Sequence, residues 1–444
     1  MKRNLVSLFA MGLVLLTLLI GCGGQAQQAT QPDAAADSGK ITVWSFTDEV
    51  GQMIGPFNEV YPNIEVELVV IPAGDETYLN RITNAMRSSA ATPDVFTGER
   101  AFFRQFIDSG FWEPLSGAPY NAEQLVGSLV DYVVGLSRDD QGQLSALSWQ
   151  ATPGGIYYRR SIARDVLGTD DPAVVSQWTS DLDKFYELGE KIRAFYNGQR
   201  FLLSGYMDMQ EFVYNQRTEP YVIGDTLTIP ASLVEFMTVG RQMRQNRIEA
   251  GAATWSPPWF SSMADGSVFA YVLPTWGLHY VLKPNAEPDA HEGNAQFTGD
   301  WGLAAPPAPY SWGGTWIGVS RHSRQKELAW KFVQFVGSNP DFHEHWARTT
   351  GDFVSNTDVL ARIKDDFSDP FLGGQNHYSF FYDQVQLVDV SFIGPWDLQI
   401  QNAWGDQVEL YVNGQKSMDQ AIADFEVAVR DFLPNIRNVV VQRP

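Results

Sequence analysis

Six tryptophans, Trp255, Trp259, Trp276, Trp301, Trp312 and Trp316, fall within one short stretch, where even spreading of the chain's 14 would place about 2. Their flanks read Trp255-Ser256-Pro257-Pro258-Trp259, Leu273-Pro274-Thr275-Trp276-Gly277 and Ser311-Trp312-Gly313-Gly314-Thr315-Trp316. Proline and glycine set the rings in loops, where indole faces can line a cleft; the other use of such rings is core packing, since each carries a large buried area. Between Arg247 and Arg321 the one basic residue, Lys283, stands against Glu249, Asp265, Glu287, Asp289, Glu292 and Asp300. A pocket built here suits a neutral polyol or a cation better than an anion. Aromatic faces cover the C–H faces of a sugar ring while amides and carboxylates accept its hydroxyls, the chemistry of a carbohydrate site.

Other chemistry is not signalled. No HExxH, GxSxG or GxxxxGK[ST] occurs, so the short motifs of zinc hydrolysis, a serine nucleophile elbow or a phosphate loop are missing. His343 and His345, two apart on an expected helix, diverge and make poor joint ligands, so a solvated face is expected for them. No catalytic residue, metal or cofactor is assigned. Paired carboxylates of a glycoside hydrolase leave no sequence spacing, so that alternative stays open, as does a cationic amine such as a polyamine.

Acidic residues outnumber basic ones 52 to 31 for a formal charge of -21, which opposes attraction to nucleic acid or anionic lipid. The single cysteine, Cys22, supplies neither a disulfide nor a cysteine zinc site. With 44% hydrophobic and 19% charged residues over 444 positions, the chain can build about two to three packed domains or one large two-lobed body.

Lys2 and Arg3 precede an uncharged run from Leu5 to Ile20, matching a secretory leader too short to span a bilayer. It ends Leu19-Ile20-Gly21-Cys22, which resembles a bacterial lipobox. The expectation is a signal peptide over 1–21, lipidation of Cys22, and a solvated Gly/Gln/Ala tether over 22–39.

Ile41 to Phe46 and Ile64 to Ile71 read as strands. Between them Met53, Phe57 and Val60 keep helical spacing, with Thr47 as N-cap. A second helix is expected over Glu76 to Ser89 and a short strand over Asp94 to Thr97. Successive units of this kind build a mostly parallel sheet whose ligands sit beyond the strands' carboxyl ends, here Ser45 to Asp48 and Gly98 to Arg100. Ser161 to Val268 reads as mainly helical, with Leu182, Phe185, Leu188, Ile192 and Phe195 on one face. Val268 to Leu273 reads as a strand. Lys326 to Val336 reads as a helix closed by Gly337, Asn339-Pro340 as the next helix start, and Ser417 as the cap of a last helix through Phe432.

With these residues in view, the chain resembles the family-1 extracellular solute-binding proteins that serve ATP-binding-cassette sugar importers. The resemblance rests on the lipobox, Ile41-Thr42-Val43-Trp44, Tyr61-Pro62-Asn63-Ile64, Ala91-Thr92-Pro93-Asp94-Val95, Ile156-Tyr157-Tyr158, Gly266-Ser267-Val268-Phe269, Gly313-Gly314-Thr315 and Glu327-Leu328-Ala329-Trp330-Lys331-Phe332, in family order over about residues 40 to 356. The tail beyond Asn356 matches less well. The resemblance implies an α/β, periplasmic-binding-protein-like (type II) Venus flytrap of two lobes with ligand in the interlobe cleft. On that pattern 40–150 plus 269–310 form lobe one and 151–268 plus 311–444 lobe two. It implies ligand contacts at Trp44, Ser45, Thr47, Glu99, Trp149, Trp276, Gly313, Gly314, Trp316 and Asp352. Trp149 stands where many relatives carry proline, a departure from the family pattern. The implied partners are a neutral mono- or oligosaccharide and an ABC permease, with membrane attachment only through the lipid, no nucleic acid, and a monomer outside the cytoplasm.

Overall fold

The computed structural model describes residues 38–73, 77–89, 91–288 and 296–444. The leader and Cys22 lie outside the described residues, as do Asp289 and Glu292. Strands β1 (Gly39–Ser45), β2 (Ile64–Val70), β3 (Val95–Glu99), β4 (Gly154–Arg159), β5 (Phe201–Leu203), β6 (Val222–Ile223), β7 (Thr226–Ile229), β8 (Val268–Pro274), β9 (Trp301–Ala304), β10 (Thr315–Val319) and β11 (Asn438–Val441) form three sheets. Their orders are β10-β3-β1-β2, β5-β8-β4-β9 and β11-β7-β6.

In the first sheet β1, β2 and β3 run parallel, with Val43 opposite Val95, and β10 closes one edge antiparallel. Ile41 and Val43 are fully buried, so the apolar run of β1 reads as a strand covered by helices. At the other edge Glu65 and Glu67 of β2 pair with Lys40 at 2.9 and 3.2 Å, a charged rim that discourages strand addition. The helix Val50–Val60 buries Met53 and Phe57 against this sheet, but Val60 is 54% exposed. Its cap is Glu49, not Thr47; the Thr47 hydroxyl accepts the Glu49 N–H at 3.2 Å, two residues too early.

The second sheet is buried on both faces. Tyr157, Tyr271, Leu273, Trp301 and Leu303 enter the core shared with the first sheet. Ile156, Tyr158, Ala270, Val272 and Ala304 enter a second core with Phe185, Leu188 and Ile192. Alternation within each strand thus feeds two cores. Phe195, expected on the same helix face, is 55% exposed because the helix Leu182–Phe195 ends there.

Sheet membership corrects the expected division of the lobes. β8 and β9 flank β4, so 268–304 belongs with the second sheet, whereas β10 pairs with β3 and returns 315–319 to the first. The helix Lys326–Ser338 packs on β1 and β10, so it too belongs with the first sheet. The physical reason is hydrogen bonding: β4 is a central strand and needs a neighbour on each side. The chain passes between lobes near 150–154, 305–314 and 364–376.

Gly337 lies inside its helix rather than past its end, where a side chain would collide with Leu147, 2.4 Å from the Cβ position. Asn339 caps the helix Pro340–Thr350 as expected, its side chain accepting the Phe342 N–H at 2.9 Å. His343 on that helix is fully buried, against the expected solvated face, and its Nε2 pairs with the Val336 carbonyl at 2.9 Å. The tail forms helices Asp397–Val412 and Met418–Phe432, the latter capped by Ser417, packed together with Trp404 edge-on to Phe425 at 5.1 Å.

Candidate ligand-binding cleft

A cleft of about 960 Å³ opens between the lobes. One wall comes from the carboxyl ends of β1 and β3, with Phe46, Thr47, Glu49, Glu99, Arg100 and Phe102; the other comes from Glu211, Tyr214, Asn215, Arg217, Phe392, Asp397 and Gln401. Trp312, Gly313 and Gly314, on the crossing segment before β10, join the two.

Three tryptophans make the aromatic wall. Trp276 follows β8 directly and lies nearly parallel to Trp255, centroids 6.2 Å apart at 13°. Trp312 stands across both, 5.8 Å from Trp255 at 70° and 5.7 Å from Trp276 at 63°. The Trp276 Nε1–H donates to the Trp312 carbonyl at 2.9 Å, which fixes that indole's rotation. Gly313 has φ +69 and its Cβ position is 3.0 Å from Trp276 Nε1, so backbone conformation and close approach both favour glycine here. Trp255 is 46% exposed, while Trp276 and Trp312 are half-buried, leaving ring surface free for a ligand. The other three rings of the cluster are core: Trp259, Trp301 and Trp316 are at most 1% exposed.

The polar side is acidic and desolvated. Burial pushes the Glu99 carboxyl up to about 7, against the Ala101 N–H, which donates to it at 2.7 Å, and nearby Arg100. Glu211 is likewise pushed up to about 7, first by burial and further by Glu99. Glu49, 7% exposed, is held well above the usual carboxylate range by burial and then by the charge of Asp352, although the Tyr280 hydroxyl donates to it at 3.3 Å. Arg100 reaches across the cleft, donating from Nη1 to the Ser311 carbonyl and from Nη2 to Asn215 Oδ1 at 3.2 Å. Arg217 is 7% exposed, ion-paired with Asp397 and stacked over Tyr221 at 3.6 Å.

Of the residues expected in the site, Thr47, Glu99, Trp276, Gly313 and Gly314 line the cleft. Trp44, Ser45, Trp149, Trp316 and Asp352 do not. Trp44 turns to the other side of β1, under the Arg81 guanidinium at 5.1 Å, because neighbours on a strand point to opposite faces. Ser45 is fully buried, its hydroxyl accepting the Thr47 N–H at 3.2 Å and the Thr97 hydroxyl at 3.3 Å, so it shapes the loop from behind. Trp149 is fully buried. Trp316 stacks on Phe103 at 4.3 Å and 9°, its Nε1 donating to the Val133 carbonyl at 3.2 Å. Asp352, 1% exposed, accepts the Trp346 Nε1–H at 3.3 Å and is pushed up to about 7 by burial; it lies behind Glu49 rather than in the cleft.

Sequence reasoning missed Glu211, Tyr214 and Arg217, and treated Trp255 and Trp312 only as members of the cluster. Arg100 lay in the stretch expected beyond the end of the third strand but was not singled out as a contact. Glu211 to Arg217 carried none, since only closure of the second lobe brings them here. The expected acidic bias is present but comes from other residues: Glu249 pairs with Arg244, Asp300 lies 3.6 Å from Arg159, and Lys283 pairs with Asp369 at 2.6 Å. Among the described residues no group of three or more His, Cys, Asp or Glu is placed to hold a metal, and no helix is long and apolar enough to cross a membrane.

Two α/β lobes closing on a cleft at the carboxyl ends of their strands define a two-lobed, periplasmic-binding-protein-like fold. A profile of the bacterial extracellular solute-binding proteins matches residues 52–370, and the chain belongs to that family. Similar solved structures include an extracellular solute-binding protein of family 1, at TM-score 0.76 and 17% identity over 90% of this chain and 100% of the other. The ABC-transporter-associated binding protein of B. animalis subsp. lactis Bl-04, in complex with beta-1,6-galactobiose, matches at TM-score 0.70 and 18% identity over 90% and 100%. The sugar-binding protein MalE of the phytopathogen Xanthomonas citri matches at TM-score 0.70 and 18% identity over 90% and 98%.

Proposed function

We propose that the protein captures a carbohydrate between its lobes and passes it unaltered to an ABC-type import permease, working outside the cytoplasm from a lipid anchor on Cys22. The observation that carries this reading is the wall of Trp255, Trp276 and Trp312, three rings with free surface in a cleft whose opposite side is polar. Sugar rings offer apolar C–H faces to such a wall and hydroxyls to Glu99, Glu211 and Gln401. Contacts from the second lobe favour the closed form, so ligand shifts the population by its differential affinity for it. The binding complexes among the similar structures support the same reading.

A thermal-shift screen across mono- and oligosaccharides tests it, because a ligand selective for the folded state raises the melting temperature by mass action. A concentration-dependent rise with at least one sugar is expected. No rise with any sugar refutes the reading. A hydrolase is favoured by one observation, two cleft carboxyl groups pushed up to about 7, the range a general acid uses. Product release from the bound sugar, abolished by Glu99→Gln or Glu211→Gln, would establish turnover instead.

A further inference from the structure

The charges lining the cleft do not balance. Arg217 is neutralised by Asp397, and Arg104 pairs with Asp108 at 2.8 Å and with Asp140. That leaves Glu49, Glu99 and Glu211 facing Arg100 alone, and the Arg100 guanidinium is already bound to the Ser311 carbonyl and Asn215. Asp352 behind Glu49 adds to the acidic side.

Two of these carboxyl groups stand on opposite lobes at one place. Glu99 and Arg100 are consecutive at the end of β3, and Arg100 touches Asn215, whose side chain in turn bonds the Glu211 carbonyl at 2.6 Å. The Glu211 carboxylate itself accepts only a long bond, 3.5 Å from Gln210, among the described residues. Tyr214, one turn on and 5% exposed, lines the same wall, with its hydroxyl buried behind that wall beside Gly405. The cleft thus holds more carboxyl than basic groups, with the Glu211 carboxyl poorly hydrogen-bonded, beside an aromatic wall.

Resting on the carbohydrate reading above, we propose that the ligand is a saccharide carrying a protonated amino group, which lies between Glu99 of one lobe and Glu211 of the other while its ring lies on the tryptophan wall. A neutral sugar supplies hydroxyl donors but does nothing to favour the ionised forms of these carboxyls. An ammonium supplies three donors and a positive charge that does, and indole faces attract cations as well as C–H groups. The raised carboxyls agree with this: burial, and for Glu211 also the charge of Glu99, disfavours their charged forms, and a cation beside them offsets both effects. Because the ammonium bridges the lobes, it also drives closure.

The test is calorimetric titration of the intact chain near about pH 7 with three matched pairs: glucosamine and glucose, galactosamine and galactose, and the β-1,4-linked glucosamine disaccharide and cellobiose. In at least one pair the amino sugar is expected to bind about tenfold more tightly or better. Its affinity is expected to fall several-fold from about 20 to about 200 mM salt, and the preference to vanish in Glu211→Gln. Hydroxyl sugars binding as tightly as their amino counterparts overturn the inference and leave the carbohydrate reading standing. So does a preference insensitive to salt in the wild-type chain, a readout that does not depend on the variant folding. Binding of none of the six overturns the amino-sugar inference, while the thermal-shift screen across mono- and oligosaccharides decides the carbohydrate reading separately.

Discussion

Replacing Trp276 with alanine separates a binding wall from a core. Trp276 is half-buried, so a sugar can cover about one face, roughly a third of the about 200 Å² an indole can bury. At about 25 cal/mol per Å² of apolar surface that face is worth about 2 kcal/mol, and ring-specific contact adds about 0.5 to 1 kcal/mol. Loss of about 2 to 3 kcal/mol corresponds to about 30- to 150-fold weaker binding. The stability cost is smaller, because the ring's aromatic neighbours Trp255 and Trp312 are themselves at the cleft; about 1 to 2 kcal/mol is expected, a melting shift of a few degrees at most. Calorimetric titration with the sugar found by thermal shift reads the first quantity and a melting scan without ligand reads the second. A dissociation constant within about twofold of wild type, in a folded variant, would refute the assignment of Trp276 to the ligand wall.

Trp316→Ala should behave in the opposite way, losing about 3 to 5 kcal/mol of stability with little change in affinity of the folded fraction, measured by the same pair of assays. Gly313→Ala forces a side chain into φ +69 and against Trp276 Nε1; a cost of about 1 kcal/mol and several-fold weaker sugar binding are expected by melting scan and titration. Asp352 has its folded carboxyl raised to about 7 from 3.8, so its contribution to stability is full below about pH 4 and is lost as pH rises toward about 7. Asp352→Asn removes that loss, and its melting temperature relative to wild type should climb from about pH 5 to about pH 8; a constant difference across that range would contradict the buried, desolvated setting. Asp397→Ala leaves the Arg217 guanidinium buried without its counter-charge and should cost about 3 to 5 kcal/mol by denaturant titration.

The local elements were legible because they answer to nearest-neighbour chemistry. β1, β2, the helix Val50–Val60 and the Asn339 and Ser417 caps follow from side-chain period and capping groups, which act within a turn or a strand. The Gly337 stop failed for a tertiary reason: the residue is small because Leu147 packs against it, not because a helix ends there. Which sheet β8, β9 and β10 join was not legible. Strand pairing is decided by which partner completes the hydrogen bonds of β4 and β3, and no local pattern states it.

For the cleft, composition alone announced indole faces and an acidic surplus, since residue type determines whether a surface is apolar, aromatic or charged. The three-dimensional arrangement sorted those indoles, sending Trp255, Trp276 and Trp312 to the opening and Trp259, Trp301 and Trp316 into the interior. It also selected Glu99 and Glu211 as facing carboxyl groups from separate lobes. Exposure and proximity are properties of the packed chain, set by which faces are covered after the lobes form, and residues far apart along the backbone carry no mark of that meeting until the fold brings them together.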